Sequence, residues 1–257
     1  VKKIIIGPPG TGKTTIATKI AYERCQKLGN KVGYFAFTKR AAREATGKMK
    51  LWLNGEGERL NYFRTLHSLC FLQSGIRRDR VFDIDGFAGY AGLHCTKKKY
   101  DPDENDFYLG PTEDDKIIFQ IGLLKAKGIN SEHKKLKAIW DLMDRYKKIR
   151  GLWDFHDMLI RFAENGPFPK LHTIILDEAQ DLTPIQRQTF NILCANNPEA
   201  LIIEALDADQ AIFNWAGSEV DLEKLCDNAD DVQILGQSFR VPAPIHALAT
   251  KVIEQCR

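Results

Sequence analysis

Apolar and polar positions along the chain fall into two rhythms. Short, continuous, largely β-branched runs occur at Lys3 to Ile6, Val32 to Phe37, Thr173 to Asp177 and Leu201 to Leu206, each followed by turn or helix-starting residues. Apolar runs this short, without polar alternation, predict strands buried on both faces, as in a parallel sheet. Helical patterns fill the intervals at Thr14 to Leu28, Arg40 to Leu53 and Pro184 to Cys194, and a further strand at Val232 to Leu235 precedes a helix from Pro244 to Cys256. Such alternation predicts an α/β fold, a parallel sheet with helices on both faces. Residues 71–152 break the rhythm: the stretch is glycine- and charge-rich from Gly75 to Asp106 and helical from Glu113 to Lys148. It reads as an inserted, mainly helical subdomain within a discontinuous domain of residues 1–70 and 153–257. Within it, Lys97 to Asp106 has loop composition.

Composition narrows the class of protein. With 257 residues, 44% hydrophobic and 28% charged, the chain can bury a sizeable core. No apolar run reaches the roughly 18 residues that would span a bilayer, and Val1 to Ile6 meets glycine too early for a signal peptide, so a cytoplasmic protein is expected. The six cysteines form no CxxC pair, which points to reduced, mostly buried thiols rather than a disulfide framework or a zinc site. A net charge of +3 does not argue for nucleic acid by itself. Charge is nonetheless uneven: Lys134, Lys135, Lys137, Arg145, Lys147, Lys148 and Arg150 are opposed locally only by Asp141 and Asp144. A solvated helix face and a phosphate-binding patch both fit that run.

The sharpest signal is Gly7-Pro8-Pro9-Gly10-Thr11-Gly12-Lys13-Thr14, which matches G-x-x-x-x-G-K-[ST] directly after a predicted strand and at the start of a helix. The glycines let backbone N–H groups curl around phosphates, and the helix N-terminus adds a positive dipole end. Lys13 is expected to reach the β- and γ-phosphates of ATP, with Thr14 helping to hold Mg²⁺ and Thr15 completing the loop's contacts. The second site the chemistry needs is Asp177-Glu178 at the end of an apolar strand, the edge of a parallel sheet where ligands bind. Asp177 is expected to contact Mg²⁺, and Glu178 to orient or deprotonate the attacking water.

Phosphate chemistry alone fits many proteins, and the remaining motifs choose among them. Asp177-Glu178-Ala179-Gln180-Asp181 resembles the DExQD box of superfamily 1 helicases, and Ala36 to Glu44 resembles their motif Ia. Thr65-Leu66-His67-Ser68 is similar to the T-x-H-S segment of the UvrD/Rep group, and Asp154 to Leu159 is similar to its DFxDLL element. Asp207 to Ser218 resembles motif III of that group, and Leu235-Gly236-Gln237-Ser238-Phe239-Arg240 resembles motif IV. The resemblance implies a RecA-like P-loop NTPase lobe of a UvrD/Rep-type DNA helicase. It also implies 3′ to 5′ movement on single-stranded DNA, contact with a duplex junction, and a second ATPase lobe in cis or in trans.

The resemblance further implies roles for single residues. Gln210 would sense the γ-phosphate and Arg240 would act as an arginine finger. Trp215 would stack on a DNA base, with Phe37, Thr38, His67 and Ser68 as further DNA contacts. Ala216 and Ser238 depart from the pattern, which commonly has arginine and asparagine there, so fewer DNA contacts are expected. Only six residues precede Gly7, leaving no room here for the family's adenine-recognition segment, and the second lobe's motifs do not appear. This stretch alone is therefore expected to bind nucleotide and turn it over weakly. A nucleotide-dependent DNA- or protein-binding module is the alternative, and a small-molecule P-loop kinase leaves the motif III match unexplained.

Overall fold

The computed structural model describes residues 1–29, 31–54, 60–96, 110–207, 221–240 and 242–256. They form two compact units, one of Val1–Thr65, Pro169–Leu182 and Cys194–Arg257, the other of Leu66–Phe168 and Thr183–Leu193.

The first unit is built on a six-stranded, all-parallel sheet. Its strands are β1 (Lys2–Ile6), β2 (Val32–Ala36), β3 (Phe63–Thr65), β4 (Thr173–Asp177), β5 (Leu201–Leu206) and β6 (Asp231–Ile234), in the order β3-β2-β4-β5-β1-β6. Parallel neighbours require crossovers, and helices α1 (Lys13–Leu28) and α2 (Lys39–Trp52) make the β1 to β2 and β2 to β3 connections. Ala17, Ala21 and Cys25 of α1, with Ala45 and Met49 of α2, pack on Ile5, Val32, Tyr34, Ile175 and Ile203 of the sheet. Small helix residues let these helices lie close to the strands. The continuous apolar runs at β2 and β4 are buried at every position, as strands covered on both faces must be.

Register brings the strand ends together. Ala36 pairs with Asp177, Ile6 with Leu206 and Ile6 with Ile234, while Leu176 pairs with Glu204, so β1, β2, β4, β5 and β6 finish within a residue of one another at one edge. Strand β5 lies between β1 and β4, so Asp207, just past the end of β5, emerges between the loop that leaves β1 and the turn that leaves β4. Strand β3 and the break in the expected Glu113 to Lys148 helix differ from the sequence expectation. β3 has only three residues with Arg64 at its centre, too short for a pattern. The helix stops where Gly128, at φ 68°, caps α5 (Glu113–Lys127), and it restarts as α6 (Lys134–Arg150) behind a His133 cap.

The second unit is helical, with α3 (Leu66–Ser74), α4 (Ile84–Ala91), α5, α6, α7 (Phe155–Asn165) and most of α8 (Pro184–Ala195). The glycine-rich stretch thus contains a helix, α4, started by the Asp83 side chain accepting from the Gly86 N–H. Phe82, Phe87, Ile121, Met143 and Tyr146 form a separate apolar core. The Lys97 to Asp106 loop assignment falls outside the described residues. Helices α9 (Leu222–Asp227) and α10 (Ala243–Cys256) belong to the first unit. No helix among the described residues is long and apolar enough to cross a membrane.

Of the basic run at 134–150, Lys147 points inward. Its ammonium lies 2.6 Å from Asp154, 2.7 Å from Asp157 and 3.1 Å from Asp144, while Lys125 sits 2.8 Å from Asp154. Asp154 also caps α7 in a reciprocal box with Asp157. Burial alone would push the Lys147 ammonium down, but Asp154 and Asp157 outweigh it and hold the group above the ordinary lysine range. Replacing Lys147 by methionine leaves two partly buried carboxylates with too little countercharge, and should cost about 2 kcal/mol in a urea melt. A change under about 1 kcal/mol would mean that Lys125 alone satisfies both.

Candidate active site

The loop after β1 is shaped by two left-handed glycines, Gly10 at φ 74° and Gly12 at φ 92°. Side chains rarely adopt this region, and at Gly10 space forbids one too: an added Cβ would stand 2.4 Å from the Arg240 Cβ and 2.9 Å from the Ser238 hydroxyl. The reason is that the segment after β6 leans on the loop. The Phe239 N–H donates to the Gly10 carbonyl at 2.8 Å, and the Ser238 hydroxyl donates to the Pro9 carbonyl at 2.9 Å. Thr11 is buried, its hydroxyl donating to the Pro8 carbonyl at 2.8 Å.

Lys13 opens α1 and is only 7% exposed. Its ammonium donates to the carbonyls of Gly7 at 2.6 Å and Pro8 at 3.2 Å, and Asp207, emerging from β5, lies 3.9 Å away. At the end of β4, Asp177 is 1% exposed. Its Oδ2 accepts from the Tyr34 hydroxyl at 2.7 Å and its Oδ1 accepts from the Glu178 N–H at 3.1 Å. Burial, aided by the neighbouring Glu178 charge, still raises the Asp177 pKa above the ordinary carboxylate value.

Glu178 holds a left-handed backbone, φ 54° and ψ 47°, a conformation that costs a non-glycine residue about 1 kcal/mol or more. Gln180, 1% exposed, braces it: the Gln180 Nε2 donates to Glu178 Oε2 at 2.7 Å while its Oε1 accepts from the Asp207 N–H at 3.0 Å. Asp181 beside them is pushed up to about 7 by burial and by the Glu178 charge.

A cleft of about 780 Å³ opens over this edge, lined by Pro9 to Ile16, Ala41, Glu44, Lys48, Asp177, Glu178, Phe239 and Arg240. The structure thus brings the glycine loop, Lys13, Thr14, Thr15, Asp177, Glu178 and Arg240 to one cavity. A nucleotide with magnesium fits these residues. The loop's glycines leave its backbone free of side chains, with nothing within 4 Å of a Cβ at Gly12. Magnesium commonly takes one or two protein oxygens plus phosphates and water, which Asp177 and Thr14 can supply.

The other expected site residues are dispersed. Gln210 and Trp215 fall outside the described residues. Phe37 directly follows β2 at 4% exposure, and Thr38 caps α2, accepting from the Ala41 N–H at 3.2 Å. His67 and Ser68 lie on α3 in the second unit. The His67 ring meets Phe155 edge-on, with centroids 5.4 Å apart, and lies 3.4 Å from the Gln186 amide. Burial, then the neighbouring His156, pushes the His67 pKa down to about 3, so the ring stays neutral at physiological pH.

Tyr34, Gln180 and Phe239 were not expected in the site. Tyr34 carried a signal: one hydroxyl inside a run read as fully buried needs a partner. Gln180 and Phe239 each stand in a motif whose neighbours were singled out.

A protein-family profile described as an AAA domain matches residues 2–215, a span that includes the glycine loop, Asp177 and Glu178. No curated protein matches the chain.

The geometry at Gly10 makes a specific demand. Gly10→Ala should lower the affinity for a fluorescent ATP analogue by at least about tenfold, because it combines left-handed strain with displacement of the segment at Arg240. Gly29→Ala provides the control, since Gly29 also has positive φ, at 61°, but no atom lies within 4 Å of its added Cβ. Equal binding by both variants would remove the crowding argument.

Proposed function

The chain belongs to the AAA domain family of P-loop NTPases, and on that footing we propose that it is the motor lobe of a DNA-dependent ATPase and helicase. It binds and hydrolyses Mg-ATP in step with single-stranded DNA, travels 3′ to 5′, and works with a second ATPase lobe in cis or in trans. The observation that carries the reading is the single cleft at the sheet edge, where Lys13, Asp177, Glu178 and Arg240 converge. The motif order along the sequence supports the choice of a UvrD/Rep-type motor over other NTPases.

In this mechanism the N–H groups of residues 10–14 and the Lys13 ammonium bind the β- and γ-phosphates, exchanging the Gly7 and Pro8 carbonyls for phosphate oxygens. Asp177 and Thr14 would hold magnesium, which when bound would supply charge neutralisation for the phosphates. Glu178, braced by Gln180 at Oε2, keeps Oε1 to take a proton from the attacking water as the new O–P bond forms and the bond to the β-phosphate oxygen breaks. Arg240, which lines the same cleft beside Gly10, would neutralise charge on the transferred phosphoryl. Phe239 is 78% exposed in the cleft lining, and its open ring would be available to stack on the nucleobase.

DNA contact is assigned to Thr38, Ser68, His67, Phe37 and Trp215. Thr38, exposed at an N-cap, suits a phosphate. His67, being neutral, would contribute a hydrogen bond rather than a charge.

The test is ATP hydrolysis by the chain together with its second lobe, with and without single-stranded DNA. Turnover should rise with DNA and fall at least about 100-fold in Lys13→Ala. Hydrolysis indifferent to DNA would overturn the motor reading, and hydrolysis indifferent to Lys13 would overturn the site.

A further inference from the structure

Tyr34 occupies the middle of β2 with its ring fully buried, stacked on Phe63 at 5.5 Å and 11° between planes. Packing accounts for the ring but not for the hydroxyl, because a buried hydroxyl is costly unless it is hydrogen-bonded. That hydroxyl reaches across to the next strand and donates to Asp177 Oδ2 at 2.7 Å. The pairing arises from register: Ala36 lies opposite Asp177, so the residue two before it, on the same face of β2, points along the sheet toward the strand's acidic end. The Thr18 hydroxyl of α1 also meets the phenol, and Thr18 in turn donates to the Thr14 carbonyl at 2.6 Å.

A carboxylate offers about four lone-pair sites. At Asp177, the Tyr34 hydroxyl takes one on Oδ2 and the Glu178 N–H takes one on Oδ1, leaving about two for an outside ligand. We propose that Tyr34 is a positioning residue for the metal site: its hydroxyl holds the Asp177 carboxylate in the one rotation that presents an oxygen to Mg²⁺ in the nucleotide cleft. This inference rests on the reading of Asp177 as the magnesium-binding carboxylate. Hydrogen bonds to ligating groups commonly control metal affinity as strongly as the ligands' own geometry does. Tyr34 does this here from a neighbouring strand, so the metal site is fixed by sheet register as well as by the loop after β4.

The experiment is a fluorescent ATP-analogue titration of the 257-residue chain at stepped magnesium concentrations, for wild type, Tyr34→Phe, Asp177→Asn and the double variant. Phenylalanine keeps the buried ring, and affinity measured in excess chelator reports that the loop is still folded. Tyr34→Phe should raise the half-saturating magnesium concentration about tenfold and leave the chelator affinity unchanged. In the Asp177→Asn background it should add little, because both changes act on one carboxylate. A Tyr34→Phe titration matching wild type, or an equal loss with and without magnesium, would overturn the inference while leaving Asp177 as the ligand. A magnesium requirement unmoved by Asp177→Asn would overturn both this inference and the metal assignment beneath it.

Discussion

A lysine ammonium withdrawn to 7% exposure must be met by negative or dipolar partners, and the structure around Lys13 is organised by that demand. The partners are the Gly7 and Pro8 carbonyls, which a loop of left-handed glycines can turn inward, with Asp207 close by. Asp207 stands there because β5 lies between β1 and β4 and ends level with β1. Through its N–H, Asp207 is joined to Gln180, and Gln180 is joined to Glu178. The cation at one strand end and the carboxylate at another are thus spaced by a hydrogen-bonded path through the buried Gln180 side chain. Parallel register is the cause of this arrangement, and the cleft chemistry is its consequence.

Buried charge is handled differently in the second unit. There Lys147 and Lys125 are met by carboxylates at close range, and Asp154 is held well below the ordinary carboxylate range: its burial is opposed by Lys125 and Lys147. That network ties α5 and α6 to the start of α7. Lys134, Lys135, Lys137, Arg145, Lys148 and Arg150 remain on the solvent side of the same helix. The basic run is therefore divided, with Lys147 turned inward into the ion-pair network and the other six basic side chains exposed to solvent.

What the sequence made legible was whatever is local. Continuous apolar runs located β1, β2, β4 and β5 to within a residue or so, since strands covered on both faces leave that signature. The glycine loop and the Asp177-Glu178 pair were equally plain because each is contiguous and its context is strand followed by turn or helix. Three-residue β3 was illegible, and Gly128 divided a pattern that read as one helix. The support of the site was hidden for a deeper reason. That Tyr34 meets Asp177, or that Gln180 bridges Glu178 and Asp207, depends on which strands are neighbours and where they end, and no local pattern encodes strand order.

The central claim is that the N–H groups following β1 form an anion cradle whose ligand takes over the Lys13 ammonium. Amide hydrogen exchange across residues 7–14, with and without saturating ADP and magnesium, addresses it directly. Slowed exchange concentrated at Gly10 to Thr14, with little change along β2 or α6, is the expected result. Unchanged exchange in the loop at saturating nucleotide would contradict the account, because the groups assigned to the phosphates would then still be open to water.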